Sequence, residues 1–148
     1  MDRGAAVLVA VGLGGFLAAQ APLNSELGRT VGGVQASVVA VLISLICLVA
    51  LALLAGGGTG ELQRVGDAPL HVILGGGVIG ACYVGSIVWT VRALGAGGLT
   101  AATIAGQVAV AMVIDHFGWF GVDRSPVDAS KLAGVGLLAA GTYLIIRD

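Results

Sequence analysis

The run Val31–Ala55 contains no charged residue, and that feature selects the solvent. A helix that crosses a membrane needs roughly 20 consecutive, mostly apolar residues. Four more runs approach or meet that length: about Gly4–Leu23, Leu70–Val91, Gly98–Ile114 and Leu132–Ile146. In hydrocarbon every backbone N–H and C=O must be paired within its own helix or within a closed barrel. None of these runs alternates polar and apolar residues as a barrel strand does. The sequence therefore predicts an all-α membrane protein with five transmembrane helices in a single domain, residues 1–148.

Composition points the same way. Charged residues make up 10% of the chain, against about 25% in soluble domains, and the mean hydropathy is +1.04. A formal net charge of −1 leaves no electrostatic footprint for nucleic acid. Glycine is abundant, with 26 residues, which suits helices that approach closely. Cys47 and Cys82 fall inside apolar runs and are read as small buried residues, not a disulfide.

The connections are short. Asn24–Thr30 is expected to join the first two spans, and Arg92–Gly97 the third and fourth. Gly56–Pro69 is the longest polar link, closed by a proline that suits a helix start. His116–Lys131 carries Phe117, Trp119 and Phe120, which suit the headgroup level. Ala19-Gln20-Ala21 has the small-x-small form of a signal-peptide cleavage site. Pro22 directly after it disfavours cutting, so the uncleaved reading is adopted.

Five spans place the termini on opposite sides. Arg3, Arg64, Arg124 and Lys131 then share the N-terminal side, and Arg29, Arg92 and Arg147 the other. Lys and Arg bias orients a membrane chain, and four against three is almost no bias. Two readings follow: a weak bias that still fixes one orientation, or insertion both ways. Oppositely inserted copies would form a pair related by a two-fold axis in the membrane plane, the inverted plan common in secondary transporters.

Polar groups inside spans usually face a bundle interior or a pathway. Gln20 and Asn24 lie four apart on one helical face, with Pro22 between them freeing the carbonyl of Ala18. They form either a polar substrate cup at a kinked helix end, or a helix cap and an interhelical bond. Thr103 and Gln107 continue a polar stripe from Thr100 on the fourth span, with Gly106 beside the amide. Gln107 is a candidate ligand contact or an interhelical hydrogen bond. Asp115 ends that span against the helix dipole, so it should have a compensating partner. With His116, which titrates near neutrality when unperturbed, it is a candidate for proton coupling; the plainer reading is anchoring by Arg124 or Lys131. Glu26, in the first expected loop, is a third coupling candidate. Gly76 and Gly80 have the spacing of a helix-packing motif. The sequence has no metal-ligand spacing and no nucleotide fingerprint, so neither metal nor cofactor is expected, and too few ionisable groups converge for an enzyme.

The segments QAPLNSELGR, GGGVIGA, LGAGGLTAATIAGQVAVAMVIDHFG and KLAGVGLLAAGTYLI together resemble the YdcZ family. These are five-helix bacterial inner-membrane proteins related to the drug/metabolite transporter superfamily. The resemblance covers nearly the whole chain and is most specific in the GQ…DHFG segment. It implies an antiparallel assembly of two five-helix units, as an antiparallel homodimer or with a paralogue of opposite topology, giving a ten-helix transporter-like assembly. Gln20, Pro22, Asn24, Gln107, Asp115, His116 and Gly118 match its motif positions, without assigned roles. The resulting expectation is a secondary transporter or exporter of small neutral, amphipathic or weakly cationic molecules. Amides of the first and fourth spans would line its cavity, and membrane lipids would surround it. The rivals are an uncoupled translocator of lipids or amphiphiles and a non-transporting accessory subunit.

Overall fold

The computed structural model describes residues 2–54 and 60–147. Part of the expected link Gly56–Pro69 therefore lies outside the described residues. Four helices, α1 (Arg3–Val31), α2 (Gly33–Leu54), α3 (Leu70–Phe117) and α4 (Ala129–Ile146), carry the fold, with 3-10 turns at Gly60–Asp67 and Trp119–Gly121. All four helices are long and apolar enough to cross a membrane. The described residues contain no strand.

The 48 residues of α3 would span about 72 Å as one straight helix at 1.5 Å per residue, more than twice a hydrocarbon core of about 30 Å. It is not one straight helix. Gly95, with φ 70° and ψ 172°, interrupts it. The expected link Arg92–Gly97 is thus corrected to a single non-helical residue inside that interval.

The first expected loop is also corrected. α1 does not end near Leu23; it runs through Asn24–Thr30 to Val31, with Pro22 inside it. The reason lies in residue spacing. Ala21, Asn24, Ser25 and Gly28 are buried, a set at i, i+3, i+4 and i+7 that forms one helical stripe. Glu26, Arg29 and Thr30 are exposed. The polar letters that resembled a loop belong to an amphipathic helix end. Pro22 is also exposed; it removes one backbone donor without ending the helix.

A single residue joins α1 to α2. The Gly32 N–H donates to the Gly28 carbonyl (3.1 Å), and the Gly32 carbonyl accepts from Ala36 N–H (2.9 Å). Gly32 closes one helix and opens the next with φ 94° and ψ 150°. Gly95 adopts a similar conformation, and both belong to a region of backbone space that is essentially glycine-only. Each ends an Arg-x-aliphatic-Gly string: Arg29-Thr30-Val31-Gly32 and Arg92-Ala93-Leu94-Gly95.

The chain divides into two compact units, Met1–Arg92 and Ala93–Asp148. The core of the first lies where the second half of α1, the start of α2 and residues 84–92 meet. Val88 and Ala36 are fully buried there, with Ala21 and Ile87 close to it. A Cβ on Gly28 would stand 2.9 Å from Val88 Cγ1, and one on Gly33 3.3 Å from the same atom. Two small residues thus let three helices close on one valine. Ser37 Oγ donates to the Val84 carbonyl at 3.2 Å, linking α2 to α3. Ser44, Ser86 and Thr90 instead bond back to their own helices, as hydroxyls in helices commonly do.

In the second unit, Thr142 Oγ1 of α4 donates to the Ala101 carbonyl at 3.1 Å. Asp128 caps α4 by accepting from Lys131 N–H at 2.8 Å. Most large apolar side chains of both units are exposed, as lipid allows. The expectation for the cysteines is corrected for the same reason. Cys47 and Cys82 are free and exposed, because hydrocarbon, not protein, supplies their apolar surroundings.

Candidate functional site

In the first unit the polar groups gather on one turn of α1. Asn24 is 8% exposed, and its Nδ2 is buried with no hydrogen-bond partner. It caps no helix end, because the helix continues for a further seven residues. Beside it, Ser25 receives the Arg92 guanidinium twice: Nε donates to Ser25 Oγ and Nη2 to the Ser25 carbonyl, both at 3.2 Å. A Cβ on Gly28 would stand 3.3 Å from Arg92 Nη2, so the guanidinium lies along this turn. Gln20, one turn earlier, is half-buried.

The Ser25–Arg92 pair escaped the sequence reading. Its members are 67 residues apart, and Arg92 reads from sequence as an ordinary loop charge. Glu26 points elsewhere. Its side chain is 74% exposed and lies 3.3 Å from Arg29 on the same helix, a surface pair of the kind that contributes little.

In the second unit, Thr103 is half-buried, whereas Gly106 and Gln107 are exposed on the same helix. Gly76, Gly80 and Gly106 have no atom within 4 Å of the Cβ position among the described residues. The close contact expected of Gly76 and Gly80 is absent there; Gly28 and Gly33 provide it instead. The two sets of polar side chains fall in different units, Gln20 and Asn24 in one, Thr103 and Gln107 in the other.

The end of α3 is strapped by the loop that follows. Ser125 N–H donates to the Asp115 carbonyl (2.8 Å), Arg124 Nε to the His116 carbonyl (3.0 Å), and Val127 N–H to His116 Nδ1 (3.1 Å). His116 therefore accepts at Nδ1, and a proton placed there would remove that bond. Lys131 Nζ reaches Ser125 Oγ (2.7 Å), the Pro126 carbonyl (2.9 Å) and the Ser125 carbonyl (3.3 Å).

The anchoring expected for Asp115 takes a different form. Arg124 and Lys131 hold backbone and hydroxyl oxygens, and the Asp115 carboxylate makes no ion pair among the described residues. It lines a cavity of about 240 Å³ together with Val108, Met112, Ser125, Lys131 and Val135. His116 and Phe117 meet edge-on at 4.9 Å, and Phe117 stacks on Trp119 at 5.3 Å. Exposed Phe117, Trp119 and Phe120 form an aromatic group next to the strap. Among the described residues, no three His, Cys, Asp or Glu side chains stand together as a metal-ligand set.

The chain is apolar and helical, with a buried polar turn on α1, breaks of one residue at Gly32 and Gly95, and exposed aromatic side chains beside the end of α3. Its sequence matches the family described as "Putative inner membrane exporter, YdcZ" over residues 5–144. The chain belongs to the YdcZ family. It is accordingly a multi-pass protein of the inner membrane, of a transporter family and not an enzyme family. No curated protein and no solved structure matches it.

The unpaired Asn24 amide has a measurable consequence. A buried donor left without a partner costs about 1–3 kcal/mol. Asn24→Leu, similar in size and without the amide, is expected to raise the melting temperature of the detergent-solubilised protein, as measured by thermal unfolding. A fall of several degrees would mean that the amide is paired in the folded protein.

Proposed function

We propose that the protein is a secondary active transporter of small neutral, amphipathic or weakly cationic molecules, working by alternating access as an antiparallel, dual-topology homodimer. In this reading α3 crosses the membrane twice, once on each side of Gly95, so that each chain contributes five spans.

The observation that carries the proposal is the exposure of Gln107. A primary amide deep in an apolar helix would face hydrocarbon in a single chain, where nothing can pair with it. Gly106 beside it is open, and small residues let a second helix come close enough for an interhelical hydrogen bond, worth about 0.6–2 kcal/mol. The open Gly76–Gly80 face invites a helix in the same way. The nearly even Lys and Arg distribution makes the oppositely inserted copy the partner available to every chain. Gln20, Asn24, Thr103 and Gln107 supply the pathway with polar groups, and Asp115 and His116 carry proton coupling. Glu26 is the weakest coupling candidate, since Arg29 already accompanies it in solvent.

Paired reporters fused after Asp148, one active on each side of the membrane, test this reading. Comparable signals from both are expected, together with a cross-linked dimer that weakens on Gln107→Leu. Signal from one side only would end the dual-topology proposal.

A further inference from the structure

We propose that the groove between α2 and the first part of α3 holds an acyl chain of an anionic phospholipid, whose phosphate pairs with Arg92. The site lies wholly within the first unit. It needs neither a second copy nor a transport cycle, only the membrane location of these helices.

The groove has a volume of about 340 Å³ and is lined by Val34, Val38 and Leu42 of α2 and by Ala81, Val84 and Gly85 of α3. Ser37 also borders it, but its hydroxyl is engaged with the Gly33 and Val84 carbonyls. From Val34 to Leu42, α2 rises about 12 Å at 1.5 Å per residue, most of one leaflet of a hydrocarbon core about 30 Å thick. An apolar, half-open trough of that length fits a chain of methylenes and offers nothing to a polar solute. Hydrophobicity alone gives such a chain little reason to stay, because lipid tails are as apolar as the lining. Selectivity has to come from the end of the trough.

That end carries a cation. Ala81, Gly85, Val88 and Arg92 are spaced i, i+4, i+7 and i+11, one stripe of a helix, so the groove-lining face of α3 leads to Arg92. Trp89 closes on Gly33, the neighbour of Val34: a Cβ on Gly33 would stand 3.4 Å from the indole. Arg92 Nη2 and Gly33 Cα both lie against Gly28, 3.3 and 3.5 Å from its Cβ position. The joint at Gly32, where one apolar helix ends and the next begins, marks a membrane face, and exposed Trp89 and Arg92 suit the headgroup level there. Ser25 holds Arg92 through Nε and Nη2, which orients the guanidinium and leaves Nη1 for a further acceptor. Arg92 makes no ion pair among the described residues, whereas the neighbouring Arg29 is matched by Glu26. Arginine and phosphate form charge-assisted hydrogen bonds, and basic pockets between membrane helices bind anionic head groups. One phospholipid answers both the trough and the charge.

Quenching of Trp89 fluorescence by phospholipids with brominated acyl chains tests the site. The probe is the full chain carrying Trp119→Phe, which leaves Trp89 as its one tryptophan. It is reconstituted in phosphatidylcholine vesicles that contain either brominated phosphatidylglycerol or brominated phosphatidylcholine. Phosphatidylglycerol is expected to occupy the quenching position about fivefold more readily, the scale of one arginine against anionic lipid. Arg92→Gln should remove that preference, and Arg29→Gln should leave it. Gly85→Phe fills the trough at a position with no atom within 4 Å of its Cβ. It should reduce quenching by both lipids with gel-filtration elution unchanged, and it decides the matter if Arg92→Gln does not fold. Equal quenching by the two lipids in the parent would overturn the proposal, as would unchanged quenching in Gly85→Phe. Equal loss of preference on Arg29→Gln would show a diffuse surface attraction and overturn it too. Relief of the preference by soluble glycerol phosphate would assign the site to a free phosphate in place of a lipid. Loss of a cross-linked dimer on Gly85→Phe would assign the trough to a helix of a second copy.

Discussion

Gly28→Val is expected to lower the melting temperature of the purified protein more than any other single change in the first unit. The Cβ alone would stand 2.9 Å from Val88 Cγ1, 3.3 Å from Arg92 Nη2 and 3.5 Å from Gly33 Cα. Val88 is fully buried and has little room to yield, and the Gly33 contact is to backbone. Overpacking costs about 1–3 kcal/mol, and the two further methyl groups of valine push toward the upper end. Helix propensity offsets little of this, because valine improves on glycine by only a few tenths of a kcal/mol.

The smaller Gly28→Ala divides the two effects. Alanine gains about 0.8–1.0 kcal/mol of propensity, comparable to the low end of the overpacking penalty, so a near-neutral to mildly destabilising result is expected. Val88→Ala should relieve the clash. The Gly28→Ala, Val88→Ala double variant is then expected to be more stable than the sum of the two single changes, since residues in contact are not additive. Strict additivity in thermal unfolding would show that the two side chains do not meet.

That contact marks the limit of what sequence periodicity conveys. α2 is legible almost to the residue, because its run of apolar residues is bounded by Gly32 and has no competing reading. The end of α1 is not. Its buried stripe consists of Ala21, Asn24, Ser25 and Gly28, which are small or polar, so the 3.6-residue period is present in burial and absent in hydropathy. A search for apolar periodicity ends the helix at Leu23 for that reason. The Arg92–Ser25 pair was hidden differently: no local pattern identifies a partner 67 residues away. Asp115 and His116 are conspicuous in the sequence, since a carboxylate and an imidazole at a helix end stand out in so apolar a chain. Which groups would hold the following loop could not be read, because Arg124 chose a carbonyl over the adjacent carboxylate. Gln107 was legible as a lone deep amide. Its exposure follows from tertiary packing alone.

Gly95→Ala and Gly97→Ala are expected to move stability in opposite directions, although they are the same substitution two residues apart on α3. Gly97 is helical, with no atom near its Cβ position, so alanine there gains about 0.8–1.0 kcal/mol of helix propensity. Gly95 is equally uncrowded, so sterics with neighbouring elements cannot distinguish the two. Its backbone does. At φ 70° and ψ 172° an L-residue costs about 1–3 kcal/mol, and alanine's preference for helix adds to the pull toward straightening. Together the two effects favour an uninterrupted α3 by about 2–4 kcal/mol relative to glycine. A helix of about 72 Å does not fit across a core of about 30 Å, so straightening in the bilayer must displace apolar turns into water or be resisted as backbone strain. Either way, thermal unfolding in nanodiscs should show Gly95→Ala melting below the native protein and Gly97→Ala at or above it. The Arg-x-aliphatic-Gly string at Gly32 provides the matching comparison. There too the glycine separates two helices by one residue, and Gly32→Ala should fall on the destabilised side with Gly95→Ala. Equal stability of Gly95→Ala and Gly97→Ala would mean that the break at residue 95 does not depend on glycine, and with it would go the physical reason for reading α3 as two crossings.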